Sequence, residues 1–400
     1  MSPSTLDPRV LVLRQADPTE RQSQLVVELD RRSALAGDVH PQLARPELAL
    51  ILASSFHPRR SRWRAQAGFS PMIASRRTKS VQRGLASHRG DHDVILQIQT
   101  LFAPGFDRAG VPYAIYTDNT MALTRRHHPA WAPISDRAAA AWMEYEASIF
   151  REAAVVLTYS EFARRSAIED YGCSPDSVVA VGAGANQMLD SLGESEKDYA
   201  SPRALFVGFE FERKGGPVLL DAWPLVRARI PGAELVIAGP TRPAGALPDG
   251  VEWVGPSDRE ALGVLYRSAT LFVMPSLFEP WGHAFVEAMG HGLACIGTTR
   301  CAMPEIIDDG VTGRLVAAGE PAPLADALIE LLSDSAKRAA MGAAAYERVR
   351  RERRWSHVAD RVLASLAAHT LPAHGTETAP GSNGAARWPG GDPGARAALR

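Results

Sequence analysis

Cysteine is scarce. Cys173, Cys295 and Cys301 are the only three among 400 residues, an odd number with no metal-ligand spacing. That argues against a disulfide framework and fits a reducing compartment. Long apolar runs are missing too, since no uninterrupted apolar stretch reaches about eighteen residues. The first residues, MSPSTLDPRVLVLRQADPTERQ, carry no long apolar run bounded by basic residues. Neither a signal peptide nor a membrane span is expected, and the expected location is cytoplasmic. An excess of either charge is also lacking. Lys and Arg number 44 against 45 Asp and Glu, a net charge of -1, so no nucleic-acid partner is expected from global charge.

What is present is a globular composition, 46% hydrophobic and 22% charged. Four hundred residues exceed what one core organises, so two α/β domains are expected. Short apolar runs alternate with longer helical patterns, the signature of parallel sheets with helical crossovers. Strands are expected at 47–54, 93–100, 113–117, 154–160 and 177–182, while the first fifty residues give no clear assignment. The polar segment 191–202 reads as a linker. After it, strands are expected at 204–208, 234–239, 251–255, 270–276, 293–298 and 313–317, with helices between them and a helical close to about His369 around a break near Trp355. The expected division is therefore an amino-terminal domain over 1–190 and a carboxy-terminal domain over 203–369. Residues 370–400, dense in Pro, Gly and Ala, are expected to be disordered.

The densest chemistry lies in TLFVMPSLFEPWGHAFVEAMGHG, where a buried strand gives way to a turn and then to a helix starting near His283. Glu279 falls on the turn and Glu287 on the helix, because Pro280, Trp281 and Gly282 interrupt regular structure between them. A helix start suits an anion, and a carboxylate can accept two hydrogen bonds from a vicinal diol. Taken alone, the two glutamates read equally as a loop residue and a solvated helix residue.

The wider pattern resembles the family 4 retaining glycosyltransferases. SLFEPWGHAFVEAMGHG looks like their E-x7-E signature, and CAMPEIIDDGVTGRLV resembles their next segment. ALFVGFEFERKGGPVLLDAW, VEWVGPSDREALGVLYRSATLFVMPS and AVVLTYSEFARRSAIEDYG resemble further segments in the same order. The resemblance implies an α/β GT-B fold, two Rossmann-like domains facing across a cleft. It also implies transfer of a hexose-type sugar from a nucleotide diphosphate sugar to an unidentified acceptor hydroxyl, with retention. It would place the donor ribose on Glu287, the transferred sugar on Glu279 and the adjoining turn of Pro280, Trp281 and Gly282, and the diphosphate on the amides of His283, Ala284 and Phe285. Arg213 and Lys214 would stabilise the leaving diphosphate in place of a metal, so neither a metal nor another cofactor is expected. Gly208 and Gly255 end strands where a side chain would crowd the cleft. Phe209 departs from the family pattern, which often has an arginine there.

The amino-terminal half is less specific. Asp118 follows a strand end at the position where relatives often carry a histidine, and three roles are open to it: binding sugar hydroxyls, orienting an acceptor, or capping a helix. His127 and His128 are expected at the surface. VGAGANQ, 181–187, resembles the turn that closes the first domain. From Ile51 to Gly90 there are nine basic residues and no acidic one. With Phe56, Trp63, Phe69 and Met72 interleaved, residues 51–90 could meet an anionic surface, such as the face of a membrane, or close over the donor diphosphate. Two other functional classes stay open: a nucleotide-sugar epimerase or hydrolase on the same fold, and a binding protein without turnover.

Overall fold

A computed structural model of the chain describes residues 7–15, 23–88, 90–105, 110–190, 192, 197–239, 241–242 and 245–371. Arg89 and the expected tail beyond 371 lie outside these residues, as does most of segment 191–196. The first sheet is built from β1 (Val10–Leu13), β2 (Leu35–Val39), β3 (Val94–Ile98), β4 (Tyr113–Thr117), β5 (Val155–Thr158) and β6 (Val178–Ala180), in the spatial order β2-β1-β3-β4-β5-β6. The second is built from β7 (Arg203–Val207), β8 (Glu234–Ala238), β9 (Val251–Gly255), β10 (Leu271–Val273), β11 (Ala294–Thr298) and β12 (Gly313–Val316), in the order β12-β11-β10-β7-β8-β9. Neighbouring strands are parallel, as in the pairings β4 with β5 and β7 with β10.

Burial explains the composition of the central strands. β10 and β11 are buried at every residue, so both faces select apolar or small side chains and alternation disappears. In the second sheet the strand order reverses between β7 and β10. Ligands in open α/β sheets bind outside the carboxyl ends of the strands at such a switch point. The loops after β7 and β10 are the ones that carry Lys214 and Glu279.

The expected strands from 93 onward all occur, and β4 and β9 have the expected bounds. The expected strand at 47–54 does not. Those residues lie in a helix, Arg45–Ser54, in which Pro46 occupies the first turn and the Glu47 carboxylate accepts the Ala44 amide at 2.9 Å. That contact satisfies a backbone donor at the helix start that a strand would leave to its neighbours. The first fifty residues supply β1 and β2, which lie beside the switch between β1 and β3.

Two features join the halves. The turn 181–187 fits against the carboxy-terminal helices, with the Ala185 amide on the Arg353 carbonyl at 2.9 Å. A Cβ on Gly184 would stand 2.6 Å from the Trp355 backbone nitrogen, so only glycine permits that approach. The last helix, Trp355–Thr370, packs on the helix Ser23–Arg31 and on β5, which places it on the first sheet. Among the described residues no helix is long and apolar enough to cross a membrane.

Candidate functional site

After β7 the chain turns through Gly208 and reaches the helix Gly216–Arg229 by way of Gly215, whose φ is +74°. A Cβ on Gly215 would lie 2.0 Å from the Pro275 carbonyl oxygen, so the left-handed turn and the close approach both require glycine. The turn brings Arg213 and Lys214 against the loop after β10. Lys214 Nζ stands 2.7 Å from Glu279 Oε2. Gly208 makes that reach possible, because a Cβ there would meet Lys214 Cδ at 2.1 Å.

Arg213 is deployed differently. Its Nε and Nη2 donate to Glu210 at 2.9 and 2.6 Å, while Nη1 donates to the Phe278 carbonyl at 2.6 Å and lies 3.5 Å from Glu279. The guanidinium also sits over the Trp131 ring, 5.2 Å from its centroid. Burial by itself would lower the Arg213 pKa, but Glu279 and Glu210 outweigh that and raise it. Arg213 is thus fixed to the two loops, and Lys214 is the cation at the end of a flexible stem.

Glu279 is buried, and burial by itself would push its carboxyl up. Lys214 and then Arg213 overcome that and hold it below the ordinary carboxylate range. Three residues on, Gly282 adopts φ +113° and precedes the helix His283–Gly290, so the helix begins at the expected residue. Glu287 is one turn inside it. Its oxygens accept from Asn186 Nδ2 and Tyr266 Oη, each at 3.1 Å. The structure thus sets one glutamate on the loop and one on the helix.

On the opposite wall Asp118 follows β4. Gln99 Nε2 donates to Asp118 Oδ1 at 2.9 Å. Burial raises the Asp118 pKa, and the Gln99 hydrogen bond works against that. The capping role is filled elsewhere: Thr120 is the N-cap of the helix Met121–His127 and its side chain accepts the Leu123 amide. His127 is exposed, and its ring stacks on Phe278 at 5.9 Å; His128 is half-buried and stacks on the same ring at 6.2 Å. Among the described residues no group of His, Cys, Asp and Glu side chains could hold a metal ion.

One cleft of about 570 Å³ gathers most of these groups. Asp118, Gly208, Arg213, Lys214, Glu279, Pro280, Trp281, Gly282, His283, Ala284 and Glu287 line it. Gly255 and Phe285 do not. Gly255 ends β9, two strands from the switch point. The Phe285 ring is fully buried against Phe272, and its amide donates to the Gly282 carbonyl at 3.0 Å. That hydrogen bond is made within the helix, which leaves His283 and Ala284 as the helix-start residues facing the cleft. Phe209 lines the cleft and is 58% exposed, so the position where an arginine was expected brings no charge.

Sequence reasoning missed Asn186, Trp131 and Tyr266. Asn186 accepts from Trp355 Nε1 at 3.0 Å while donating to Glu287, so it ties the closing turn of the first half to the second. The only signal was its place at the end of a small-residue turn.

Known proteins resemble this chain in sequence and in fold. Residues 201–334 match the family model described as Glycosyl transferases group 1, so the resemblance read from the motifs holds for this half of the chain. The chain is 33% identical over 219 residues to a phosphatidyl-myo-inositol mannosyltransferase of Mycobacterium leprae (strain TN), an alignment covering 52% of this chain and 57% of that relative's length. Among solved structures it is similar to the sucrose-phosphate synthase from Thermosynechococcus elongatus, with a TM-score of 0.66 at 17% identity over 88% of this chain and 97% of that one. It is also similar to Anabaena Alr3699/HepE in complex with UDP and glucose, with a TM-score of 0.64 at 15% identity over 90% and 99%. The fold is the GT-B arrangement of two parallel sheets with interleaved helices.

Proposed function

We propose that the chain is a retaining glycosyltransferase that moves a hexose-type sugar from a nucleotide diphosphate sugar to an acceptor hydroxyl, without a metal. The observation that carries this reading is the convergence, in one cleft at the switch point, of the Lys214–Glu279 pair, the start of the helix His283–Gly290 and the Glu287 carboxylate. Each meets one part of such a donor. Glu287 accepts from the ribose diol, the helix start and Lys214 face the diphosphate, and Glu279 accepts from the hexose hydroxyls. Arg213, bound to Glu210 and the Phe278 carbonyl, holds the two loops in register. A related fold solved with UDP and glucose supports the donor class.

In this mechanism the bond between the anomeric carbon and the phosphate oxygen breaks, and the oxygen keeps the electron pair. Lys214 and the helix start stabilise that charge. The acceptor oxygen bonds the anomeric carbon on the face being vacated, and its proton passes to the leaving phosphate oxygen. No side-chain nucleophile is needed. Ser160 is committed to capping the helix Glu161–Glu169 and donates to the Pro280 carbonyl.

Donor binding is tested by thermal unfolding with UDP-glucose, GDP-mannose and ADP-glucose. A ligand at about 100 times its Kd should stabilise the fold by about 2.7 kcal/mol. Failure of all three to raise the melting temperature would sink the reading. Turnover is tested with labelled donor in the absence of acceptor, where rapid conversion to an epimer would contradict transfer.

The acceptor side of the proposal concerns residues 51–90. Leu52 and Met72 are exposed on their helices and Phe56 in the loop between two of them, and Leu48 and Leu50 are exposed just before. Arg59, Arg60, Arg62 and Arg64 are exposed alongside. Apolar side chains ringed by cations suit the surface of an anionic bilayer, which would make the protein peripheral to the cytoplasmic face of a membrane. Reversing the four arginines to glutamate should abolish co-sedimentation with phosphatidylserine vesicles, since each basic residue contributes about 1 kcal/mol near such a surface. Equal binding of the wild type to neutral phosphatidylcholine vesicles would count against it.

A further inference from the structure

We infer that Gln99 is a positioning residue that holds the Asp118 carboxylate toward the transferred sugar, an inference that rests on the proposed glycosyltransferase reading. Gln99 follows β3 and has φ +67°, the left-handed region that residues with a Cβ seldom occupy. Strain of this kind persists where surrounding contacts impose it, and here the contacts are explicit. The Gln99 amide donates to the Tyr116 carbonyl at 2.9 Å. Its own carbonyl accepts from Gln97 Nε2 at 2.9 Å. Its side-chain oxygen accepts from Thr117 Oγ1 at 3.2 Å, which leaves the side-chain NH₂ directed at Asp118 Oδ1, 2.9 Å away.

This arrangement holds the Asp118 side chain in one orientation. Oδ1 is held by Gln99, which sets the orientation of the carboxylate at the cleft wall. Asp118 lines the cleft that also contains Glu279 and Arg213, so the carboxylate faces the space between the two halves where a hexose would lie. A regular strand end would carry the residue-99 side chain in a different direction; the left-handed turn of the backbone aims it at Asp118. Glutamine supplies both functions at once, an acceptor for Thr117 and a donor for Asp118. The charged and titratable groups facing Asp118 from the other packed elements are Glu279 and Arg213 on the second half and Tyr116 on β4.

The test compares each nucleotide sugar with its bare nucleotide: UDP-glucose with UDP, GDP-mannose with GDP, and ADP-glucose with ADP. The pair that binds the wild-type chain gives the contribution of the sugar as a ratio of Kd values. Asp118→Asn and Gln99→Gly should each shrink that ratio at least tenfold and leave bare-nucleotide affinity unchanged. Gln99→Gly relieves the backbone strain but takes a partner from both Thr117 and Asp118, so an unchanged bare-nucleotide affinity, and not the melting temperature, separates positioning from a merely structural role. Gln99→Asn, whose side chain tolerates the left-handed backbone but is one methylene shorter, should reproduce the loss. Loss of the Gln99 donor should also move the acid-side decline of sugar binding to higher pH, because a hydrogen bond that favours the Asp118 carboxylate is gone. In the Asp118→Asn background, Gln99→Gly should cost nothing more. If Asp118→Asn loses the sugar contribution and both Gln99 variants keep it, the positioning inference is overturned while the glycosyltransferase reading stands. If no nucleotide sugar binds the wild-type chain, that reading fails and takes the inference with it.

Discussion

Replacing Lys214 with alanine is expected to lower kcat by roughly 10- to 150-fold while leaving donor KM almost unchanged, because a hydrogen bond to a charged group contributes about 1.5 to 3 kcal/mol. The split follows from where the ammonium rests. Without donor it is already bound to Glu279 at 2.7 Å, so contact with a ground-state diphosphate replaces one charged partner with another. The gain appears only as charge builds on the leaving oxygen, and an interaction made mainly in the transition state lowers kcat when removed. Arg213 is not equivalent, since its nitrogens are occupied by Glu210 and the Phe278 carbonyl. Unchanged turnover in Lys214→Ala would remove the assignment of Lys214 as the phosphate cation.

The same substitution changes acid stability. Glu279 has a folded-state pKa below its ordinary value, with Lys214 the foremost of the charges that counter burial. A depressed carboxylate contributes stability that is present above the unfolded pKa, about 4.3, and lost as pH falls through the folded value. Without Lys214, the foremost charge opposing burial is gone and the Glu279 pKa rises. The variant should therefore begin to lose stability at a higher pH than the wild type in acid titrations followed by circular dichroism.

Legibility was uneven for physical reasons. The second half could be read because its central strands are buried on both faces and β7 and β8 are followed by Gly208 and Gly239, so strand and turn signals coincide. β2, LAGDV, contains Gly37 and Asp38, two poor strand formers. It is a strand because β1 pairs with it and because Arg14 reaches Asp38 at 2.7 Å, information that lies 24 residues away. The apolar run at 47–54 failed differently: periodicity cannot separate a short buried strand from a helix, and the signal that decides, Pro46 followed by Glu47, lies at its edge. In the site, the loop and helix positions of Glu279 and Glu287 were visible through Pro280 and Gly282. Asn186 was not, because its value comes from meeting Trp355 and Glu287 across the junction between halves. Phe285 was misplaced by one step of helix geometry. Its amide already finds the Gly282 carbonyl, and its ring is buried away from the cleft.

Glu287 should separate binding from chemistry in the opposite sense to Lys214. Glu287→Ala is expected to weaken UDP-glucose, GDP-mannose or ADP-glucose, whichever binds, by on the order of 100-fold, since two charge-assisted hydrogen bonds to a ribose diol contribute about 1.5 to 3 kcal/mol each before non-additivity. The bare nucleotide should weaken by the same factor, because the ribose belongs to both. The ribose does not change during transfer, so the loss should appear in KM with kcat nearly intact. The fold has its own stake in this carboxylate, which accepts from Asn186 and Tyr266 at 3.1 Å each. Removing it takes an acceptor from both, and any donor left unsatisfied in the buried site costs about 1 to 3 kcal/mol. The melting temperature of Glu287→Ala should therefore fall even without ligand. Glu287→Gln retains one acceptor oxygen and should recover more of the stability than of the donor affinity, since the ribose needs both oxygens and the charge. A Glu287→Gln chain that binds donor as tightly as the wild type would show that the ribose rests elsewhere in the cleft.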